Sequence, residues 1–421
     1  MRELATRIPF FYGWVIVGVG FCVSFLSFGM LTYVRGIYLP LFAEAFGTGR
    51  YDITLAFTAE GVVAGCFAPF LGFLLDRFSP RWMLLFGLTV VVIGYGLLSQ
   101  VQTLWQLYLV MAICFGFGMT SLGAFTVQRL TVSWFLRRRG LALACVILGA
   151  SVSGMVMPGV CVYLIEVLGW RDSLLVLGLL IAVVLTPLGV FLLRDAPENL
   201  GLAVDGQSPD QAEESCLRST VASQELLPPL RIIRQASFWN IVLVFGVMLC
   251  VFGTVTTHAF GHITDIGLTA YQAAGGFFAM TLCAALGKPL IGLITDLASV
   301  RVSIWLSLTM LGMGLLILAE AESYATVVVG MSCFGFGYAG MLPLRSYSVA
   351  AAVGAPNFGL ANGLMNFAIL PLTLAASPMA AWIYDFSGSY AFAFQLLALG
   401  VAFAAIGPFF IDPGLNAKQV D

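Results

Sequence analysis

Cys333-Phe334-Gly335-Phe336-Gly337 repeats Cys114-Phe115-Gly116-Phe117-Gly118, 219 positions further along a chain of 421 residues. At the same offset Gly140-Leu141-Ala142 meets Gly359-Leu360-Ala361, Glu166 meets Asp385, and Pro158 falls one residue from matching Pro378. A second element, Gly72-Phe73-Leu74-Leu75-Asp76-Arg77-Phe78-Ser79-Pro80-Arg81, is answered at an offset of 220 by Gly292-Leu293-Ile294-Thr295-Asp296 and then Arg301. One such match is cheap where Gly and Phe abound. Several in one register mark an internal duplication.

The duplicated material is apolar. Hydrophobic residues make up 60% of the chain and charged residues 10%, with mean hydropathy +0.99. Soluble domains carry about 25% charged residues, so this chain has a bilayer as its solvent. Its continuous runs suit helices and not the alternating strands of about 10 residues that build a membrane barrel. Twelve spans are expected. They lie near 11–39, 52–75, 82–101, 104–130, 141–167 and 172–193, then 238–264, 271–295, 302–320, 324–350, 358–384 and 389–411. The fold class is therefore an all-α membrane protein of two pseudo-symmetric six-helix halves. The N-terminal half is 1–193, a polar linker occupies 194–237, the C-terminal half is 238–411 and a tail follows at 412–421. The first run is too long for a signal peptide and lacks a cleavage site, so no cleaved leader is expected.

Basic residues orient the spans. Arg2, Arg7, Arg77, Arg81, Arg129, Arg137, Arg138, Arg139, Arg194, Arg218, Arg231, Arg234 and Arg301 would share one side, against Arg35, Arg50 and Arg171 on the other. This bias puts both termini and the linker in the cytoplasm, and the short loops suggest a bacterial inner membrane. Two six-helix halves in parallel repeat are the plan of a secondary transporter, with its site near mid-membrane between repeats. No cofactor is implied. The nine cysteines form no C-x-x-C pair and read as apolar filler. A net charge of −2 without a basic patch gives nucleic acid nothing to bind.

The Gly72…Asp76-Arg77…Arg81 element resembles the loop between the second and third spans of the major facilitator superfamily, and Gly292…Asp296…Arg301 is its weaker copy. That resemblance implies a gating role for Asp76, Arg77, Arg81, Arg129, Asp296 and Arg301, by pairing at the cytoplasmic helix ends. The alternative is solvated loop charges that obey the orientation rule. Other stretches are similar to the monocarboxylate transporter and oxalate–formate antiporter branch. They are Tyr12-Gly13-Trp14-Val15-Ile16-Val17, Arg137-Arg138-Arg139-Gly140-Leu141-Ala142, Asp195-Ala196-Pro197-Glu198-Asn199-Leu200-Gly201-Leu202 and His262-Ile263-Thr264-Asp265-Ile266-Gly267. In that branch an Arg-Pro pair stands four residues before Gly-Leu, and the arginine binds a carboxylate. Here the pair is Lys288-Pro289 before Gly292-Leu293, so the resemblance implies that role for Lys288, as a point charge instead of a planar fork. The acidic residue four positions earlier in the monocarboxylate carriers is Ala284 here, and the second cation of span 11 in oxalate antiporters is absent.

Lys288 is one of two lysines in the sequence, with Lys418. It lies in an apolar run about 12 Å of helix before Asp296. It reads as an anion site or as a cation snorkelling to the boundary. Arg35 is a second candidate cation, expected towards the outer end of span 1. Glu60, deep in span 2, could carry a coupling proton or partner Arg35. His258 and His262 share a helix face. Without a third ligand besides Asp265 a metal site is not expected. His262 and Asp265 are candidates for an outer gate, against a default of a wet helix end. Arg345 is read as lining the cavity or pairing with Asp296. Asn362 and Asn366, one turn apart, would hydrogen-bond substrate or a neighbouring helix, and Tyr338 could add a hydroxyl.

The expected function is secondary transport of small organic anions, monocarboxylates foremost, with a coupling proton or a counter-anion. The alternative is a proton-coupled drug antiporter using Glu60. No cluster of titratable groups fits an enzyme, and no segment is long enough for the signalling module of a receptor.

Overall fold

The computed structural model describes residues 11–135, 138–200, 202, 228–353 and 357–410. Arg2, Arg7, Arg137, most of the linker (203–227) and the tail (412–421) lie outside the described residues, as does the Asp76 side chain.

The described chain is helical. α1 (Gly13–Phe28) passes through a π-turn at Gly29–Tyr33 into α2 (Arg35–Phe46). α3 (Arg50–Arg77) and α4 (Pro80–Ser99) follow. α5 (Leu104–Leu109), a π-turn at Val110–Phe115, α6 (Gly116–Leu122) and α7 (Ala124–Trp134) form one interrupted rod. α8 (Arg139–Pro187) ends in a π-turn at Leu188–Leu192. After the short α9 (Pro229–Ile233) come α10 (Ala236–Asp265), α11 (Ala270–Leu297) and α12 (Val300–Ala319). Last are α13 (Tyr324–Ala339), α14 (Met341–Val353), α15 (Phe358–Ser387) and α16 (Ala391–Ala404).

Among the described residues, ten stretches are long and apolar enough to cross a membrane. One of them, Arg139–Leu192, is two spans, because Gly169 leaves helical geometry at φ 79, ψ 166. The 28-residue α3 is not among these ten; it carries Arg50, Asp52, Glu60, Asp76 and Arg77 along an otherwise apolar helix. Counting the split and α3 gives the expected twelve. Observed ends lie within a few residues of the expected ones except in span 1. There the helix runs on to Phe46 and stops at Gly47, whose φ of 62 closes a left-handed cap with its N–H on Ala43 and Glu44 carbonyls. Arg35 is thus eleven residues inside the helix end, about 16 Å at 1.5 Å per residue. It sits deeper than a span ending at 39 implies.

Two compact units emerge from the packing. The first comprises Met1–Leu31, Ala59–Ser153 and Tyr163–Ser223, the second Thr32–Thr58, Gly154–Val162 and Gln224–Asp421. The duplicated motif does the same work in each. In the first unit a Cβ on Gly116 would meet Val63 of α3 at 2.8 Å, and one on Gly118 would meet Val91 of α4 at 2.8 Å. In the second, Gly335 crosses α11 against the Met280 carbonyl, and a Cβ on Gly337 would lie 2.6 Å from the Ser307 carbonyl of α12. The repeated glycines are therefore helix-crossing points, where absent side chains let backbones approach. Trp134, Phe115 and Phe135 are fully buried in the first unit; Phe245, Phe277, Phe334 and Tyr390 are in the second.

Candidate functional site

Lys288 is half-buried on α11. Its neighbour Gly287 packs on α13, where a Cβ would sit 2.8 Å from that of Ala339. Pro289, inside the same helix, has no N–H to give the Ala285 carbonyl. Lys288 is the one cation along α11.

Arg345 of α14 is held by α15. Its Nη2 donates to Asn362 Oδ1 at 2.6 Å and to Asn366 Oδ1 at 2.8 Å. Asp296 lies exposed on α11. The bonds described for Arg345 run to Asn362 and Asn366, the two asparagines expected to hydrogen-bond substrate or a neighbouring helix. The two asparagines, one turn apart, spend their carbonyls on orienting a guanidinium. Tyr338 stacks on Phe252 with centroids 3.8 Å apart and planes at 7°, and Tyr33 meets the same Phe252 edge-on at 6.4 Å. One face of the Tyr338 ring is thereby used in packing. The Arg35 guanidinium lies 5.0 Å from the centre of the Phe57 ring. Glu60, in the other unit, is 5% exposed.

A second cluster lies where α10 ends. Arg50, at the start of α3, grips Asp265 with a two-pronged fork, Nη1 to Oδ2 at 2.7 Å and Nη2 to Oδ1 at 2.8 Å. The two side chains are 12% and 28% exposed. The guanidinium also lies 4.0 Å from the Tyr384 ring centre and 5.5 Å from that of Tyr390. The Asp385 carboxylate accepts the backbone N–H groups of Arg50 (2.9 Å) and Tyr51 (2.8 Å), satisfying the first donors of α3. His258 Nε2 lies 2.9 Å from the Ser377 carbonyl and Nδ1 lies 3.1 Å from the Tyr390 hydroxyl. A carbonyl can only accept, so Nε2 carries the hydrogen and Nδ1 accepts from Tyr390. His262 Nε2 is 2.8 Å from the Leu318 carbonyl, with its ring edge-on to Phe394. His258 and His262 are 0% and 4% exposed, so the default expectation of a wet helix end is corrected: both imidazoles are packed and hydrogen-bonded. No group of three or more metal-ligating side chains occurs among the described residues.

In the first unit, Arg81 takes the Asp195 carboxylate on its backbone N–H at 3.0 Å, and its side chain donates to the Gly189 and Val190 carbonyls. Ser79 Oγ donates to the same carboxylate at 2.6 Å, so Asp195 caps the start of α4. Arg77 lies 4.4 Å from the Phe73 ring centre, and Arg129 is exposed. In the second unit Arg301 donates to the Phe409 carbonyl at 3.5 Å. Sequence reasoning missed Arg50, Asp385, Tyr390 and Asp195 as functional contacts. The pointers were the Glu166–Asp385 match across the repeat, the family-like stretch that opens at Asp195 and the place of Arg50 on the face poor in arginine.

The sequence profile of the Major Facilitator Superfamily matches residues 19–284, more than half of the chain. Monocarboxylate transporter 2 of Homo sapiens is 23% identical over 411 residues, covering 94% of this chain and 84% of that protein. Monocarboxylate transporter 11 of Homo sapiens is 24% identical over 94% of this chain and 83% of its own length. The agnestins efflux protein AgnL12 of Paecilomyces divaricatus is 24% identical over 96% of this chain and 89% of its own length. With twelve helices in two repeats and a match of this extent, the chain is a multi-pass membrane transporter and not an enzyme, and it belongs to the major facilitator superfamily.

Proposed function

We propose that this transporter carries small organic anions, monocarboxylates foremost, by alternating access, and that Lys288 is the cation that meets the carboxylate. The observation that carries the reading is a half-buried lysine beside a proline inside an otherwise largely apolar spanning helix. Such a charge costs about 2.5–3.5 kcal/mol at the centre of a spanning helix, a cost that function must justify. A bound carboxylate would cancel the charge and lower the barrier to closure around substrate, which ties movement to occupancy. Relatives named as monocarboxylate transporters support the same chemistry. Arg345, oriented by Asn362 and Asn366, would steer the anion, with Arg35 and Tyr338 completing the polar lining. Both termini would face the cytoplasm, the halves being 1–193 and 238–411. Asp76, Arg77, Arg81 and Arg129, with Asp296 and Arg301, would gate that face.

Thermal stabilisation of the purified protein by a panel of small mono- and dicarboxylates tests this. A ligand at a hundred times its Kd stabilises the folded state by about 2.7 kcal/mol. The melting temperature should rise with a carboxylate, and the rise should vanish in Lys288→Ala. A rise of equal size in the variant would reject Lys288 as the site.

A second reading is favoured by Glu60, 5% exposed within α3, and by the efflux protein among the relatives. It is proton-coupled export of apolar compounds with Glu60 as proton carrier. Glu60→Gln should then abolish proton-driven transport while leaving substrate exchange intact.

A further inference from the structure

Between the first turns of α3 and the last turns of α15 lies a groove of about 480 Å³, walled entirely by the second unit. Tyr51, Leu55 and Thr58 line it at helical spacing from α3, and Ala375, Met379 and Trp382 from α15. The α3 residues are half-buried and the three from α15 are exposed, so the groove opens sideways, where a spanning helix meets acyl chains. Its polar groups sit at one end. Tyr51 is the second residue of α3, and Trp382 stands five residues before the end of α15, the level at which Tyr and Trp mark a bilayer interface. Trp382 stacks on Phe386 with centroids 6.1 Å apart. Neither its indole N–H nor the Tyr51 hydroxyl hydrogen-bonds to another described residue. At the deep end Thr58 spends its hydroxyl on the Thr54 carbonyl at 3.0 Å.

We infer that this groove holds one zwitterionic phospholipid, with an acyl chain between α3 and α15 and its ester and phosphate oxygens on Tyr51 and Trp382. The volume fits: at roughly 30 Å³ for a water-sized group such as a methylene, the groove takes about sixteen, one acyl chain of ordinary length. Apolar contact alone selects nothing here, because lipid tails are as apolar as the groove walls. The two donors do the selecting. An indole N–H can only donate, and a donor left facing hydrocarbon is costly until it is paired. The ester and phosphate region of a phospholipid supplies acceptors directly above the first methylenes of its chains. That is the order of the groove, with donors at the interface and apolar walls beneath. A wholly apolar molecule would leave both donors bare. The headgroup follows from charge. Asp52 adjoins Tyr51, Asp385 lies three residues past Trp382 and binds the first N–H groups of α3, and with Asp265 these carboxylates outnumber Arg50 at this end. Their field repels an anionic headgroup and attracts one that carries an ammonium. This inference is independent of which anion is carried.

Native mass spectrometry of the full chain, purified and delipidated in detergent, tests it. Dioleoyl phosphatidylethanolamine and dioleoyl phosphatidylglycerol, which share chains and differ in charge, are titrated separately. The parent should bind one phosphatidylethanolamine in its tightest step, more tightly than phosphatidylglycerol. The Tyr51→Phe, Trp382→Phe double variant keeps both rings and removes both donors, and its affinity for that lipid should fall about tenfold. Ala375→Phe, which fills the groove and leaves the donors, should lose the same step. Trp105→Phe removes an indole that is 69% exposed in the other unit and should bind as the parent does. A parent that retains no lipid, or a double variant that binds with parental affinity, would overturn the inference. So would phosphatidylglycerol binding as tightly as phosphatidylethanolamine, or an equal loss in Trp105→Phe.

Discussion

Lys288 and Arg345 show two ways to keep a cation in an apolar helix. The ammonium of Lys288 is a point charge that accepts an anion from many directions. The guanidinium of Arg345 is clamped by two asparagine carbonyls and presents a fixed geometry. Substituting Lys288→Arg should therefore retain anion-dependent stabilisation and change its order of preference among carboxylates. Lys288→Ala should lose the stabilisation altogether. The Asn362→Ala, Asn366→Ala double variant leaves Arg345 charged and unaimed. Its carboxylate affinity, read by titrating thermal stabilisation, should fall about tenfold, as removal of a hydrogen bond to a charged group costs about 1.5–3 kcal/mol. An unchanged affinity would confine Arg345 to structural bonding between α14 and α15. At the end of α10, where Asp265 meets Arg50 of α3, Asp265→Asn should lower the melting temperature only modestly. The pair is partly exposed, and such pairs contribute about 1 kcal/mol.

Helix ends and crossings were legible in the sequence to different degrees. Hydropathy located nearly every span, since a run of twenty apolar residues has no other stable setting. It failed at α2 because Arg35, Pro40 and Glu44 dilute the apolar signal, whereas the chain stops for a stereochemical reason at Gly47. The duplicated glycines betrayed the repeat, and their purpose became visible only when Gly116, Gly118, Gly335 and Gly337 were seen against neighbouring helices. Gly36→Ala should destabilise the protein by about 1–3 kcal/mol through overpacking against the α10 carbonyls. Gly18→Ala on the exposed side of α1, where a Cβ would meet nothing within 4 Å, should be neutral or gain about 0.5–1 kcal/mol. Melting temperatures of the two variants side by side decide the point. The site was less legible than the spans. Lys288 announced itself by rarity. The Arg50–Asp265 fork joins residues 215 positions apart, and neither end carries a local pattern that names the other.

On the scale of the whole molecule, one duplicated six-helix plan accounts for the composition, the register of the repeated motifs and the twelve helices. The arginine distribution predicts that both termini share the cytoplasmic face. A tag on either terminus should therefore resist protease added outside intact cells and yield to it in inverted vesicles. The central claim concerns what Lys288 does, and uptake of radiolabelled monocarboxylates into proteoliposomes tests it most directly. The account predicts saturable uptake by the parent, its loss in Lys288→Ala and its partial retention in Lys288→Arg. Uptake by Lys288→Ala at the parental rate, or no carboxylate uptake by the parent, would contradict it.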